Sequence, residues 1–336
     1  MKRCFVILTL ALCIAAFMNV QPAAAAQYTI SFAHNLPPKD TSQYHVWFVK
    51  FKEYVERFSK GAIEMKEFPA SQMGDDVVAA KKLQMNAIQM QIVAANNLAS
   101  FYSGFDLFTL PFIAKSLECG IINVLRDEEL RKDVSREAEA KANIRVLAWS
   151  SSGMRNMMNS KHPIQKPDDL KGLRFRVAKN PILLDLYAAL GGNAIGIASA
   201  ETFSALQTKV VDGNDGSIGW AHGLKFYEVQ KYYSITNHQM VTMALIINNK
   251  FYLGLPENIR KAIDQAAIIS TSLIDSWIME KESVLIDDLA KRGMEVIYPD
   301  LEPFRSVAKS VWEKYADRVG GMKRIERVVE LQKDCF

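Results

Sequence analysis

The chain has 336 residues, with 41 lysines and arginines against 37 aspartates and glutamates, a formal charge of +4. That length is enough for two domains. A charge so near neutral gives no electrostatic case for nucleic acid or an anionic membrane surface as partner.

The first segment reads as an export signal covering residues 1–26. Lys2 and Arg3 give a short positive start, Cys4 to Val20 an apolar stretch, and Gln21, Pro22 and Ala23 to Ala26 a break followed by small residues. An Ala-Xaa-Ala match at Ala24 to Ala26 puts cleavage before Gln27, and hence the mature chain outside the cytoplasm. The alternatives are a retained anchor, for which the run barely spans a bilayer, and a lipoprotein at Cys13, for which Leu12 is too bulky. Cleavage leaves about 310 residues, the usual size of two domains. The charge falls to +2, 39 basic against 37 acidic residues, since Lys2 and Arg3 go and no acid does. Only Cys119 and Cys335 remain; so far apart, they read as free thiols, with pairing in an oxidising compartment the open alternative.

Tyr28 to His34 alternates as a strand, and after Asn35-Leu36-Pro37-Pro38 a helix capped by Asp40, Thr41 or Ser42 runs to Lys60. Ala62 to Phe68 is a second strand. Asp75 and Asp76 open a helix to about Asn86, and Ala87 to Ala94 is a third strand. Strand–helix order of this kind predicts an α/β fold with a largely parallel sheet. The order returns with strands at Ile144 to Ser150, Arg155 to Asn159 and Leu173 to Val177, and a helix at Pro181 to Leu190. Next come a helix at Ala200 to Lys209 and a short strand at Val210 to Gly213. Val241 to Asn248 is a strong strand. From Pro256 to Arg292 the pattern stays helical without Gly or Pro, roughly 37 residues or about 55 Å, long enough to cross between domains. Met294 to Tyr298 is a strand, and 303–333 gives C-terminal helices.

There is no Walker loop, no GxGxxG, no zinc-spaced His pair, no Gly-x-Ser-x-Gly elbow and no complete calcium loop. No catalytic residue, metal or cofactor is expected, and the chain is not read as an enzyme.

Four stretches carry a resemblance: Phe68-Pro69-Ala70-Ser71-Gln72-Met73-Gly74, Leu110-Pro111-Phe112, Asp169-Leu170-Lys171-Gly172-Leu173-Arg174-Phe175-Arg176-Val177, and Ala205-Leu206-Gln207 with Val210 to Gly213 and Lys225 to Tyr232. Together and in order they resemble the solute receptors of TRAP transporters, the DctP-like family, across the whole mature chain. The resemblance implies a two-domain periplasmic solute-binding fold with a ligand cleft between the domains, crossing strands and a long interdomain helix. Residues 27–150 with about 240–255 would form domain I, and 151–239 with part of 256–300 domain II; 256–293 is the interdomain helix. The implied function is capture of a small organic acid in a hinged cleft, for delivery to the transporter's membrane subunits by an ion-gradient-driven route. The chain would act as a monomer. Input to a membrane sensor and a periplasmic enzyme acting on organic acids are the alternatives.

The family's ligand-clamping arginine carries over to Arg176, and a second, assisting one to Arg155. A guanidinium presents a planar fork that makes two charge-assisted bonds to one carboxylate and stays charged when desolvated. Asn35 follows the first strand, where the family often places a polar ligand contact, and His34 stands beside it as a further candidate. Asp76 is read either as a ligand contact or, more simply, as a helix cap. Asn96 and Asn97 follow the third strand. Trp220, after the turn read at Asp212 to Gly216, can wall the cleft, and Asn214 and Asp215 complete the candidates. The chain departs from the family at Gly216, where relatives carry a ligand-bonding Asn, at Ala178 in place of Pro, and at Ser199 in place of an aromatic.

Overall fold

The computed structural model describes residues 26–335; the export segment read at 1–26 lies almost entirely outside them. One nine-stranded sheet runs through the molecule: β1 (Tyr28–Ala33), β2 (Ile63–Phe68), β3 (Met90–Ala94), β4 (Ile144–Asn159), β5 (Arg174–Val177), β6 (Asn193–Gly196), β7 (Gly213–Ser217), β8 (Tyr232–Asn248) and β9 (Glu295–Ile297). Its order is β2-β1-β3-β8-β4-β7-β5-β6, with β9 beside β8. The outer groups pair in parallel, β1 with β2 and β3, β5 with β6 and β7. The central strands pair antiparallel, β3 with β8, β8 with β4 and β4 with β7. The sheet is therefore mixed, and the parallel expectation holds only within each half.

The two central strands are the longest, 16 and 17 residues. The sequence pattern predicts two strands over the first, divided at Ser150 to Gly153. The structure instead keeps β4 continuous and absorbs the mismatch in register shifts at Val146/Ala148, Ser151/Met154 and Arg155/Met157. Gly153 sits in one of these at φ +96°, a conformation that disfavours a side chain. Both strands pass from one half of the sheet to the other.

Helices cover the faces. They include α1 (Gln43–Phe58), α2 (Asp76–Gln84), α3 (Glu128–Ala142), α4 (Pro181–Ala189), α5 (Thr202–Gln207), α6 (Ile218–Gly223) and α7 (Glu257–Lys291). At 35 residues, about 52 Å, α7 is the predicted long helix. It buries Ile259, Ile263, Ala267, Ile274 and Ile278 along one stripe, packing on α1 and β4. Further along, Asp288 pairs with His222 of α6 at 2.9 Å, tying the helix to the other lobe. Among the described residues no helix is long and apolar enough to cross a membrane.

On β5, Phe175 and Val177 are fully buried against Leu183, Leu186 and Tyr187 of α4. Burying a side chain such as Phe175 stabilises by roughly 1.5–3 kcal/mol. That anchor fixes the strand and so the direction of Arg176 between them. Arg174, the other alternate position, is half-exposed and pairs with Asp212 at 3.0 Å.

The C-terminal helices α8 (Ala308–Tyr315) and α9 (Met322–Glu330) fold back across the first half. Trp312 Nε1 donates to Pro111 O at 2.8 Å, and Gln332 donates to Ile113 O and accepts from Lys115 N. Cys335 pairs with Cys119, their Cα atoms 6.1 Å apart, correcting the expectation of free thiols. The back-folding that brings them together is encoded in contacts 200 and more residues apart.

Candidate functional site

Where the halves of the sheet meet, a cavity of ≈ 40 Å³ is lined by Asn35, Tyr44, Asp76, Asn96, Asn97, Ser152, Arg155, Arg176, Ser199, Ser217 and Trp220, with Ala94, Ala178, Gly216 and Val241 between them. A second, of ≈ 30 Å³, adjoins it and shares Arg176, Asp76, Asn35 and Asn97. Each element delivers its contribution for a local reason. β5 presents Arg176 opposite its apolar anchors. The loop after β1 presents Asn35, the turn after β3 presents Asn96 and Asn97, and the first turn of α1 presents Tyr44.

Arg176 is 3% exposed. Its Nε donates to Ile197 O at 2.9 Å, and its guanidinium carbon lies 5.0 Å from the Trp220 ring centroid. Among the described residues it has no salt-bridge partner, its one side-chain hydrogen bond uses Nε, and it lines both cavities. Burial lowers its pKa from 12.5 to about 10, which leaves it fully charged at neutral pH. A buried cation of this kind is stabilised by an anion supplied from outside.

Arg155 lines the same cavity but is already held. Its Nη1 donates to Asp215 Oδ1 at 2.9 Å and to Asp215 O at 3.2 Å. Both residues lie on neighbouring strands of one half, β4 and β7, so the pair does not bridge the lobes. Burial raises the Asp215 pKa, but the Arg155 charge and a 3.1 Å hydrogen bond with His238 outweigh it and hold Asp215 ionised. Burial in turn lowers His238, keeping it neutral, with Thr236 Oγ1 on its other nitrogen at 2.8 Å. Asp215 thus fixes Arg155 from behind the wall and does not line the cavity.

Asp76 faces the cavity from the start of α2. The cap is its neighbour Asp75, whose side chain accepts from Val78 N at 2.8 Å, so the simpler reading of Asp76 as a cap is corrected. Asp76 Oδ2 accepts from Asn35 Nδ2 at 2.8 Å and Asn97 Nδ2 at 2.6 Å. Burial lifts its pKa from 3.8 to about 6 in spite of those two donors. Trp220 forms a wall, its Nε1 donating to Ser199 Oγ at 2.9 Å and its ring edge-on to Phe226. Across the cavity, Ser152 and Ser217 share a 2.8 Å hydrogen bond, and Gln43 donates to Ser152.

Asn35, Asp76, Asn97, Arg155, Arg176 and Trp220 are therefore brought together, and Asn96 with them. His34, Asn214 and Asp215 are not. His34 turns behind the strand end to Glu67 at 2.8 Å. Asn214 is sealed in β7, where the sequence predicts a turn after a strand at Val210 to Gly213. Pairing with β4 and β5 makes residues 213–217 a strand in spite of their turn-like composition. Tyr44, Ser152 and Ser217 were missed. Gly216, expected from the sequence to stand where relatives carry Asn, lies against Trp220, which occupies the space its side chain would need.

Asn180, at the start of α4, spans the lobes. Its Nδ2 donates to Asp106 Oδ1 at 2.6 Å and Asn96 O at 3.2 Å. Arg318 approaches the other Asp106 oxygen at 2.5 Å.

The chain is similar to known bacterial solute-binding proteins. Residues 32–318 match the family described as bacterial extracellular solute-binding protein, family 7, DctP. The chain is 30% identical over 307 residues to the C4-dicarboxylate-binding periplasmic protein DctP of Rhodobacter capsulatus, covering 89% of this chain and 90% of the relative. It superposes with a TM-score of 0.86 and 27% identity on the sugar acid binding protein DctPAm of Advenella mimigardefordensis in complex with galactonate, covering 92% and 99% of the two chains. A TRAP periplasmic solute binding protein of Shewanella oneidensis with bound succinate gives 0.85 and 25%, with 92% and 100% covered.

Proposed function

This chain belongs to bacterial extracellular solute-binding protein family 7, the DctP family of TRAP solute receptors, and on that premise we propose that its cleft takes a small hydroxylated monocarboxylate. The observation that carries the proposal is the unequal state of the two buried arginines. Arg155 is matched by Asp215, whereas Arg176 has both terminal nitrogens free for one carboxylate. A second carboxylate would meet Asp76, whose own charge is already unfavourable in the cavity. Hydroxyl groups suit that wall: Asp76 accepts from them, and Asn35, Asn97, Ser152, Ser199 and Ser217 offer both donors and acceptors. Galactonate and succinate, held by two of its structural relatives, exemplify the hydroxylated monocarboxylate and the dicarboxylate.

The proposed cycle is hinge closure. With Arg176 at 3% exposure, the acid enters only when the lobes part. We assign the lobes as 27–150 with about 240–255 and 151–239 with part of 256–300, bending along β4 and β8. The acid pairs with Arg176 in one lobe, and Asp76, Asn35 and Asn97 of the other close on it. Its interactions with both lobes favour the closed form, which delivers it to the transporter's membrane subunits. Export by way of residues 1–26, cleavage near Gln27 and action as a monomeric, non-enzymatic receptor complete the proposal.

The test is a thermal-shift and calorimetry panel pairing an aldonate, a uronate, succinate and a neutral aldose. The aldonate or uronate should raise the melting temperature by mass action and the aldose should not. Preference for succinate would refute the monocarboxylate assignment, and preference for the aldose would refute the clamp itself.

A further inference from the structure

Behind the cleft, the described residues contain one group of three metal-ligating side chains, His34, His45 and Glu67, with ligand atoms all within 4.8 Å of one another. They converge from three elements. His34 follows β1, Glu67 lies near the end of β2, and His45 is in the first turn of α1. Glu67 Oε1 stands 2.8 Å from His34 Nε2 and 2.6 Å from His45 Nδ1.

The positions are set by rigid backbone. Phe32 registers with Glu67 in the parallel β1–β2 pair. His34 N donates to Phe68 O at 3.2 Å, and Ser71 N donates to His34 O at 3.1 Å. The His34 side chain is fully buried, while those of His45 and Glu67 keep 18% and 17% exposure. One side of the cluster is therefore open to solvent.

Two imidazole nitrogens and one carboxylate oxygen are the donor set of a zinc-type ion, with bonds of about 2.0–2.2 Å and a fourth position left for water. Calcium and magnesium call for oxygen ligands throughout. Around a tetrahedral centre with such bonds the donors would stand about 3.3 Å apart, so this cluster needs only small side-chain shifts. Each ring offers its lone pair once its proton moves to the opposite nitrogen.

We propose that His34, His45 and Glu67 form a binding site for a divalent zinc-type cation, with solvent completing its coordination. The site lies outside the solute cavity but adjoins its wall: Asn35 follows His34, and Tyr44 precedes His45. A bound cation would clamp β1, β2 and α1 together at that point.

The experiment takes the purified chain, stripped with chelator, and titrates it with ZnCl2 by equilibrium dialysis and thermal shift. CoCl2 absorption reports coordination geometry. One equivalent of zinc should bind and raise the melting temperature, and cobalt should give the intense visible bands of a tetrahedral site. His45→Ala and the near-isosteric Glu67→Gln should each weaken zinc at least 30-fold while solute binding persists. His34 is left intact because its burial makes replacement disruptive. Less than one equivalent in the wild-type protein, or unchanged affinity in both variants, would overturn the proposal. So would a CaCl2 response equal to that of zinc.

Discussion

Trp220 occupies the space that a side chain on Gly216 would need, its Cε3 edge lying against the position of a Cβ there. The same indole stacks on Arg176 and donates to Ser199. The lack of a side chain at Gly216 thus makes room for an aromatic wall. Gly216→Ala should force Trp220 off its place. Overpacking of this kind costs about 1–3 kcal/mol. Urea unfolding should show that loss, and calorimetry at least a tenfold weaker acid. Wild-type affinity in the variant would mean that Trp220 takes no part in the site.

Asp76 makes acid binding depend on pH. Its folded pKa of about 6 lies above the ordinary 3.8, so the native state holds this proton more tightly than the unfolded chain. The cost of ionising it is absent below about pH 4, grows as pH rises through 6, and reaches about 3 kcal/mol above that. Asp76→Asn should therefore be more stable than wild type at pH 7.5 and no more stable at pH 4, read by denaturant melts. An anionic ligand meets a neutral Asp76 at pH 5 and a charged one at pH 7.5. Its affinity should fall over that interval in the wild type and stay flat in Asp76→Asn.

Cys119 and Cys335 close a loop of more than two hundred residues and hold the C-terminal segment against the first lobe. Closing long loops stabilises by about 2–5 kcal/mol. Cys119→Ser, or a reductant, should lower the melting temperature and speed hydrogen exchange first in α9. An unchanged melting temperature would show that the hydrogen bonds of Gln332 hold that segment unaided.

The sequence was most legible where local pattern and tertiary demand agree. β5 alternates Phe175 and Val177 with Arg174 and Arg176, and both faces follow from it. The long helix is equally plain, because nothing between 257 and 291 breaks it. β7 was illegible: Gly-Asn-Asp-Gly-Ser has the composition of a turn and becomes a strand only because β4 and β5 flank it. In β4 the Ser150 to Gly153 run looked like an end, since bulges leave no regular period. Tyr44, Ser152 and Ser217 reach the site from buried elements whose sequences show nothing unusual. Asp75 and Asp76 are adjacent and chemically identical, and only the helix's exact start divides capping from facing the cavity. His34, His45 and Glu67 come from separate elements, beyond any short-range motif.

The central claim is that Arg176 carries the charge that captures an acid. Arg176→Met keeps most of the side-chain volume and removes a buried cation, so the fold should be no less stable than wild type. Calorimetry with the acid that most stabilises the wild-type protein is the direct measurement. Loss of a buried charge pair of this kind is worth about 3–5 kcal/mol, so affinity should drop by two orders of magnitude or more. A correctly folded Arg176→Met protein that binds the acid within twofold of wild type would contradict the account.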